Sequence, residues 1–372
     1  MDYLTPKIRI CARKLTACEN RDEIMDNPQQ LQNHASAENS SKTIGRNEQA
    51  PHSPWGPMTI IIASFLVVVI CLATVGNLVV CRLVWVCRRM QIPSLYFVAS
   101  MSFSDFLTGL LVLPLTFCYL VSYQDTGRWT FGNFTCDLYL FLNFILCSAS
   151  IYNLCVVSGD RYLAVTSPLN YLSRMNESRV KKIIGVSWFC ALIVAGFVTY
   201  GRHASKENDV NCSIWGLRYE YSVFVLVIAF ILPVFFLVFV NMKMFLIARA
   251  HMTRIHVQEI SLAPVSTFTK NALSPEGEPK KTSQRARLKR EIKIFKTFLI
   301  VTCTFLISWI PFVVILLIDS ISPVPGLIRR SSIILLYCNS ALNPFIYGFF
   351  NSEIRKALSE IFSRKCTLPF KR

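Results

Sequence analysis

Seven apolar stretches dominate this chain, and they restrict its fold more than any other feature. A helix needs roughly 20 consecutive apolar residues to cross the hydrocarbon core of a bilayer. The runs at about 58–86, 93–121, 134–159, 180–200, 219–248, 294–318 and 330–350 reach or approach that length. The expected fold class is therefore an all-α membrane protein, a bundle of seven transmembrane helices over residues 57–350. Of the 372 residues, 53% are hydrophobic and only 16% are charged. A soluble chain of this size needs more polar surface. No internal repeat is apparent, which speaks against a transporter built from duplicated halves.

Outside these runs the composition changes. Residues 1–56 are polar and rich in Asn, Ser and Gln, and read as a disordered tail. No signal peptide precedes the first run, which is then its own insertion signal. Residues 250–290, with Pro264, Pro275 and Pro279, read as a mobile loop. Beyond the last run, residues 351–372 read as an amphipathic helix (about 351–362) and a short tail. Ile354, Leu358 and Ile361 oppose Glu353, Arg355, Lys356 and Glu360, so this helix is expected to lie along the membrane surface.

The net charge is +17, but its distribution excludes nucleic acid as a partner. The basic residues cluster in alternate connections: Arg82, Arg88 and Arg89; Arg174, Arg179, Lys181 and Lys182; Arg285, Arg287, Lys289 and Arg290; Arg355, Lys356, Arg364 and Lys365. By the positive-inside bias these connections are cytoplasmic, the N-terminus is extracellular and the C-terminus is cytoplasmic. Sequons at Asn39, Asn133 and Asn211 then face outward as glycosylation sites, whereas Asn176 faces inward.

Polar groups within the spans need a reason, because a charge at bilayer depth costs on the order of 3 kcal/mol. Asp105, near the middle of run two, is the only acid so deep. It is either a carboxylate paired for packing specificity or a cation or proton site. Asn77, Ser150, Asn153, Asn339 and Asn343 are further polar residues at depth, and such groups also serve as interhelical glue. Pro114, Pro233, Pro311 and Pro344 interrupt runs two, five, six and seven and bend their helices. At the end of run three, Arg161 of Asp160-Arg161-Tyr162 is placed to pair with Asp160 or with Glu291 at the start of run six. The chain has no Ser/His/Asp set, phosphate loop or Cys/His metal spacing. Its five histidines all lie outside the spans. An enzyme is not expected.

Together these residues resemble the rhodopsin-like (class A) family of G-protein-coupled receptors. The motifs occur in order, one per run: Gly76-Asn77-Leu78-Val79-Val80, Ser104-Asp105-Phe106-Leu107, Cys136 with Asp160-Arg161-Tyr162, Trp188, Pro233, Ser308-Trp309-Ile310-Pro311-Phe312, and Asn343-Pro344-Phe345-Ile346-Tyr347. The resemblance implies a disulfide between Cys136 and Cys212. It implies an allosteric sodium ion, and no other cofactor, at Asp105, Ser150, Asn339 and Asn343 beneath Trp309. Ile151, Pro233 and Phe305 match a packing switch. Arg161, Pro344 and Tyr347 belong to the moving cytoplasmic side, and Cys366 stands where a palmitoylated cysteine is usual. The implied partners are an extracellular ligand, the lipid bilayer and a heterotrimeric G protein, with arrestin and a receptor kinase, at the plasma membrane. Asn241, where the family often has Tyr, departs from the pattern and puts the usual contact to Tyr347 in question.

Cys136 to Asn143 and Ala149 to Leu154 resemble the third helix of amine receptors, whether histamine-like or muscarinic-like. By that resemblance the ligand-binding residues are Asn143, Phe144, Cys147, Trp309, Phe312 and Tyr337. Amine receptors, however, place an aspartate where this chain has Asn143. Two ligand classes stay open: an amine or related small molecule, or a peptide or anion attracted by Arg218, Arg329 and Arg330. Those arginines also suit headgroup anchoring.

Overall fold

The computed structural model describes residues 56–87, 93–126, 129–204, 212, 219–262, 279–319, 322 and 324–362. Seven helices among them are long and apolar enough to cross a membrane. Helix α1 spans Pro57–Val86. Helix α2 runs Pro93–Leu107, passes through a π-helical turn at Thr108–Val112 and continues as Leu113–Thr126. Helix α3 is Gly132–Thr166 and α4 is Glu177–Ala204. Helix α5 starts at Tyr219–Val225, widens to a π-helix at Leu226–Ile231 and resumes as Leu232–Leu262. Helices α6 (Pro279–Asp319) and α7 (Gly326–Phe350) follow, then the short α8, Ser352–Phe362.

The packing is that of a bundle solvated by lipid, with polar groups inside and apolar ones outside. On α1 the buried residues Leu66, Val69, Ala73, Asn77 and Val80 recur at three and four residues, which is one helical face. Ile61, Phe65, Val68, Leu72 and Val75 cover the opposite face and are exposed. Asn77, Ser102, Ser104, Asp105 and Asn153 are fully buried, whereas Phe235, Ile307 and Phe349 are about 70% exposed. Helices α1 and α7 approach closely because Gly76 has no side chain: a Cβ there would sit 2.9 Å from the Pro344 ring.

The prolines act in two ways. Pro311 and Pro344 lie inside helices that remain α-helical. Pro114 and Pro233 are instead preceded by the two π-helical turns. In a π turn each carbonyl accepts from the fifth residue on. The Ile228 carbonyl would need the N–H of residue 233, which is a proline and has none. Tyr152 of α3 replaces it, its hydroxyl donating to that carbonyl at 3.2 Å.

Several boundaries differ from the sequence reading. Helix α5 extends to Leu262 and α6 begins at Pro279, so both enter the segment expected to be a loop over 250–290. The reason is local: Gln284 to Glu291 consists mostly of strong helix formers, and Pro279 starts the helix where a missing N–H costs nothing. A short helix, Pro168–Arg174, joins α3 to α4 and was not anticipated. In α8, Ile354 and Ala357 are buried and Arg355 and Lys356 exposed, as the amphipathic pattern requires. Glu353, expected on the polar face, is buried. The Asn351 side chain accepts from its backbone N–H at 3.0 Å and holds it against the end of α7.

Candidate functional site

Three polar constellations lie along the bundle axis. The first is a cavity of about 160 Å³ at the end of the bundle that carries the Cys136–Cys212 disulfide. Helix α3 contributes Tyr139, Asn143 and Cys147 to it. These are spaced at four residues and therefore share one helical face. Phe144 lines the cavity too, as do Trp309 and Phe312 from α6, Tyr337 from α7, and Val225 and Ala229 from α5. Asn143 is the pivot. Its Nδ2 donates to the Tyr337 hydroxyl at 2.9 Å, and its Oδ1 accepts from the Cys147 thiol at 3.3 Å. Beside it, the Tyr139 hydroxyl is 3.2 Å from that of Thr116, which donates to the Val112 carbonyl at 2.9 Å.

The cavity connects to the core through aromatic rings. Trp309 stacks on Phe230 and Phe305, with centroids 5.7 and 5.1 Å away, and meets Phe312 edge-on. Phe305 in turn is buried in one cluster with Ile151 and Leu237. A change of Trp309 at the cavity therefore has a packed route to the middle of the bundle.

The second constellation surrounds Asp105. Its carboxylate accepts from Ser150 at 3.3 Å, Ser340 at 2.7 Å and Asn343 Nδ2 at 2.8 Å. The Oδ1 atoms of Asn339 and Asn343 are buried without a hydrogen-bond partner. Ser340 was missed in the sequence, although its three-residue spacing from Asn343 puts the two on one face. A carboxylate, two hydroxyls and the orphaned Asn343 carbonyl are hard oxygen donors, a set that fits a small hard cation. Among the described residues no group of three or more His, Cys, Asp or Glu is placed to hold a metal ion.

Residues 76–347 match the model of the seven-transmembrane receptors of the rhodopsin family. The chain belongs to the rhodopsin family of seven-transmembrane receptors. Trace amine-associated receptor 7d of Mus musculus is 31% identical over 326 residues, covering 85% of this chain and 86% of the relative. The 5-hydroxytryptamine receptor 4 of Cavia porcellus is 30% identical over 319 residues, 80% of this chain and 78% of the relative. Trace amine-associated receptor 7f of Mus musculus is 30% identical over 353 residues and 92% of both chains. The protein is thus a multi-pass membrane receptor of the signalling class, related to amine receptors, and not an enzyme.

The third constellation of this receptor closes the opposite end of α3. Asp160 and Arg161 are both buried. Arg161 donates to Asp160 from Nε at 3.1 Å and from Nη2 at 2.5 Å. Tyr171, on the unanticipated short helix, donates to Asp160 at 2.7 Å and accepts from Arg161 at 3.1 Å. The Glu291 side chain, the other partner considered for Arg161, lies outside the described residues. Tyr162 packs against Val240, Met244 and Phe295. Tyr347 is buried, its hydroxyl 3.7 Å from the Met101 sulfur. Asn241 donates to the Leu237 carbonyl at 2.8 Å and reaches Thr302 at 3.5 Å, so it is bound within α5 and to α6. Pro233 is buried, its carbonyl 3.6 Å from the Cys155 sulfur.

Of the remaining residues singled out in the receptor sequence, Asn133 is exposed at the start of α3. Asn39, Asn211, Cys366 and Arg218 lie outside the described residues. Arg329 is paired with Asp319 at 3.4 Å and donates to the Val324 carbonyl at 2.9 Å. Arg330 donates to the Gly326 carbonyl at 3.1 Å.

Proposed function

We propose that this receptor binds a small extracellular molecule in the cavity around Asn143 and Tyr337 and passes the signal to a heterotrimeric G protein. The observation that carries the reading is the continuity of the cavity with the core: Trp309 lines the one and stacks on Phe305 of the other. In this reading the N-terminus and the disulfide face outward at the plasma membrane, and the Asp160–Arg161–Tyr171 cluster faces the cytoplasm. Asn133 carries a glycan there, with Asn39 and Asn211.

The mechanism is a population shift. A ligand changes a two-state equilibrium only through its differential affinity for the two states. Ligand contact with Trp309 biases the packing of Phe305 against Ile151 and Pro233, and α6 then moves outward. Arg161 leaves Asp160, Tyr347 leaves Met101, and the exposed cleft accepts the G protein, with arrestin and a receptor kinase as later partners. Asp105, Ser150, Ser340 and Asn343, with Asn339 nearby in sequence, would hold a sodium ion. The ion would supply a positive charge that keeps the resting arrangement together. Cys366 is the proposed lipid anchor after α8.

Relatives named for amines make the small-molecule reading the better one. The peptide or anion alternative loses support from Arg329, whose charge is already matched by Asp319. The test is G-protein dissociation in cells under a biogenic-amine panel, on wild type and on Asn143→Asp. A response of either receptor to an amine supports the site. Silence from both, at normal surface expression, counts against it and directs the search to peptides and acids.

A further inference from the structure

The lining of the cavity around Asn143 bears on the chemistry of its occupant. We infer that the ligand is uncharged, an apolar or aromatic frame of about one ring carrying a hydroxyl or amide, and that the site rejects cations. The inference rests on reading this cavity as the ligand site.

Charge is the first ground. Among the described residues that line the cavity, no side chain is an acid or a base of the Asp, Glu, Lys, Arg or His type. Three acids on the helices that wall the cavity are already matched. Asp137 on α3 is paired with Arg202 and lies 3.3 Å from His203. Asp319 at the end of α6 is paired with Arg329 at 3.4 Å and accepts from the Val324 N–H at 2.7 Å. Asp105 is bound by Ser150, Ser340 and Asn343. An ammonium group entering this space would lose its water without gaining a carboxylate, and a buried charge without a partner is strongly disfavoured.

The second ground is the state of the polar atoms. Thr116 gives its proton to the Val112 carbonyl, so its contact with Tyr139 uses the tyrosine proton. Asn143 has two N–H donors and a carbonyl with two lone pairs. Tyr337 takes one donor and Cys147 one lone pair. The second N–H is engaged by the Tyr139 hydroxyl, so one lone pair of the Asn143 carbonyl is left, an acceptor that suits a hydroxyl or an amide N–H. Nor does Trp309 make up for the missing carboxylate. A cation–π site needs an open ring face, and Trp309 is stacked on Phe230 and Phe305.

Size sets the frame. A cavity of about 160 Å³ is close to the roughly 150 Å³ space that accepts benzene in an engineered protein core.

The experiment uses a pair of probes equal in shape and different in charge, 2-phenylethanol and 2-phenylethylamine at neutral pH. Each is titrated against the purified full-length receptor in detergent, with thermal unfolding as the readout. Wild type is expected to be stabilised by the alcohol at concentrations at least about tenfold lower than by the amine. Asn143→Asp is expected to reverse that order. Should the variant fail to fold, the wild-type comparison alone decides. If the amine stabilises wild type as well as the alcohol does, the charge inference is overturned and the cavity remains the ligand site. Amine binding to Asn143→Asp with neither probe binding wild type overturns the uncharged-ligand assignment. If neither probe binds either protein, the reading of the cavity as a ligand site falls, and this inference with it.

Discussion

Asn143 and Tyr337, 194 residues apart in the chain, are joined by a 2.9 Å hydrogen bond that ties α3 to α7 across the cavity. Tyr337 is almost completely buried, so the bond has no water to compete with it. Removing one partner leaves the other polar group unsatisfied, which costs about 1–3 kcal/mol. Tyr337→Phe is therefore expected to lower the thermal midpoint of the purified receptor by several degrees. Asn143→Leu should do the same. The double variant should lose less than the sum, because the two changes share the loss of one bond. Strict additivity in the double-mutant cycle would show that the two groups act independently.

The hydroxyl of Tyr152 is expected to stabilise α5 by completing its π turn. Tyr152→Phe leaves the Ile228 carbonyl without the donor that Pro233 cannot provide. The expected cost is about 1 kcal/mol, read as a lower midpoint of thermal unfolding. Pro233→Ala in the same background restores an N–H and should recover part of the loss. No difference between wild type and Tyr152→Phe would remove the proposed role.

At the opposite end, Tyr171 is expected to restrain basal signalling. Its hydroxyl donates to Asp160, which holds Arg161. Losing about 1.4 kcal/mol from the resting state moves a two-state population tenfold. Tyr171→Phe should raise ligand-free G-protein dissociation, and Glu291→Ala should raise it as well. Basal dissociation equal to wild type at matched surface expression would count against the restraint.

Sodium is expected to stabilise the resting receptor through Asp105. Replacing sodium by choline at constant ionic strength should lower the thermal midpoint of wild type. Asp105→Asn should be indifferent to the exchange, and Ser340→Ala should need a higher sodium concentration. A sodium response that persists in Asp105→Asn would place the ion elsewhere.

Much of this was legible in the sequence for a physical reason. Lipid imposes length and apolarity on each span, so the seven helices and Asp105 at depth stood out, whereas Asn143 was marked by the resemblance to amine receptors. Contacts between distant segments were less legible. Ser340 sits next to Asn339 in the chain, and only the helical phase relative to Asn343 separates the two. Tyr139 was hidden in the same way, one turn before Asn143. Tyr171 gave no signal at all, since a tyrosine in a polar connection has no periodicity to mark it. The π turns were equally hidden: Pro311 and Pro344 leave their helices α-helical, whereas Pro114 and Pro233 do not.

In the proposed mechanism, ligand binding in the cavity drives G-protein coupling. Its most direct test is G-protein dissociation in cells under an amine panel, comparing Asn143→Asp with Asn143→Asp combined with Ala229→Trp. The aspartate supplies a counter-ion, and the tryptophan fills the cavity from α5. An amine response is expected from the first receptor and none from the second at equal surface expression. A response that survives the filled cavity would contradict it.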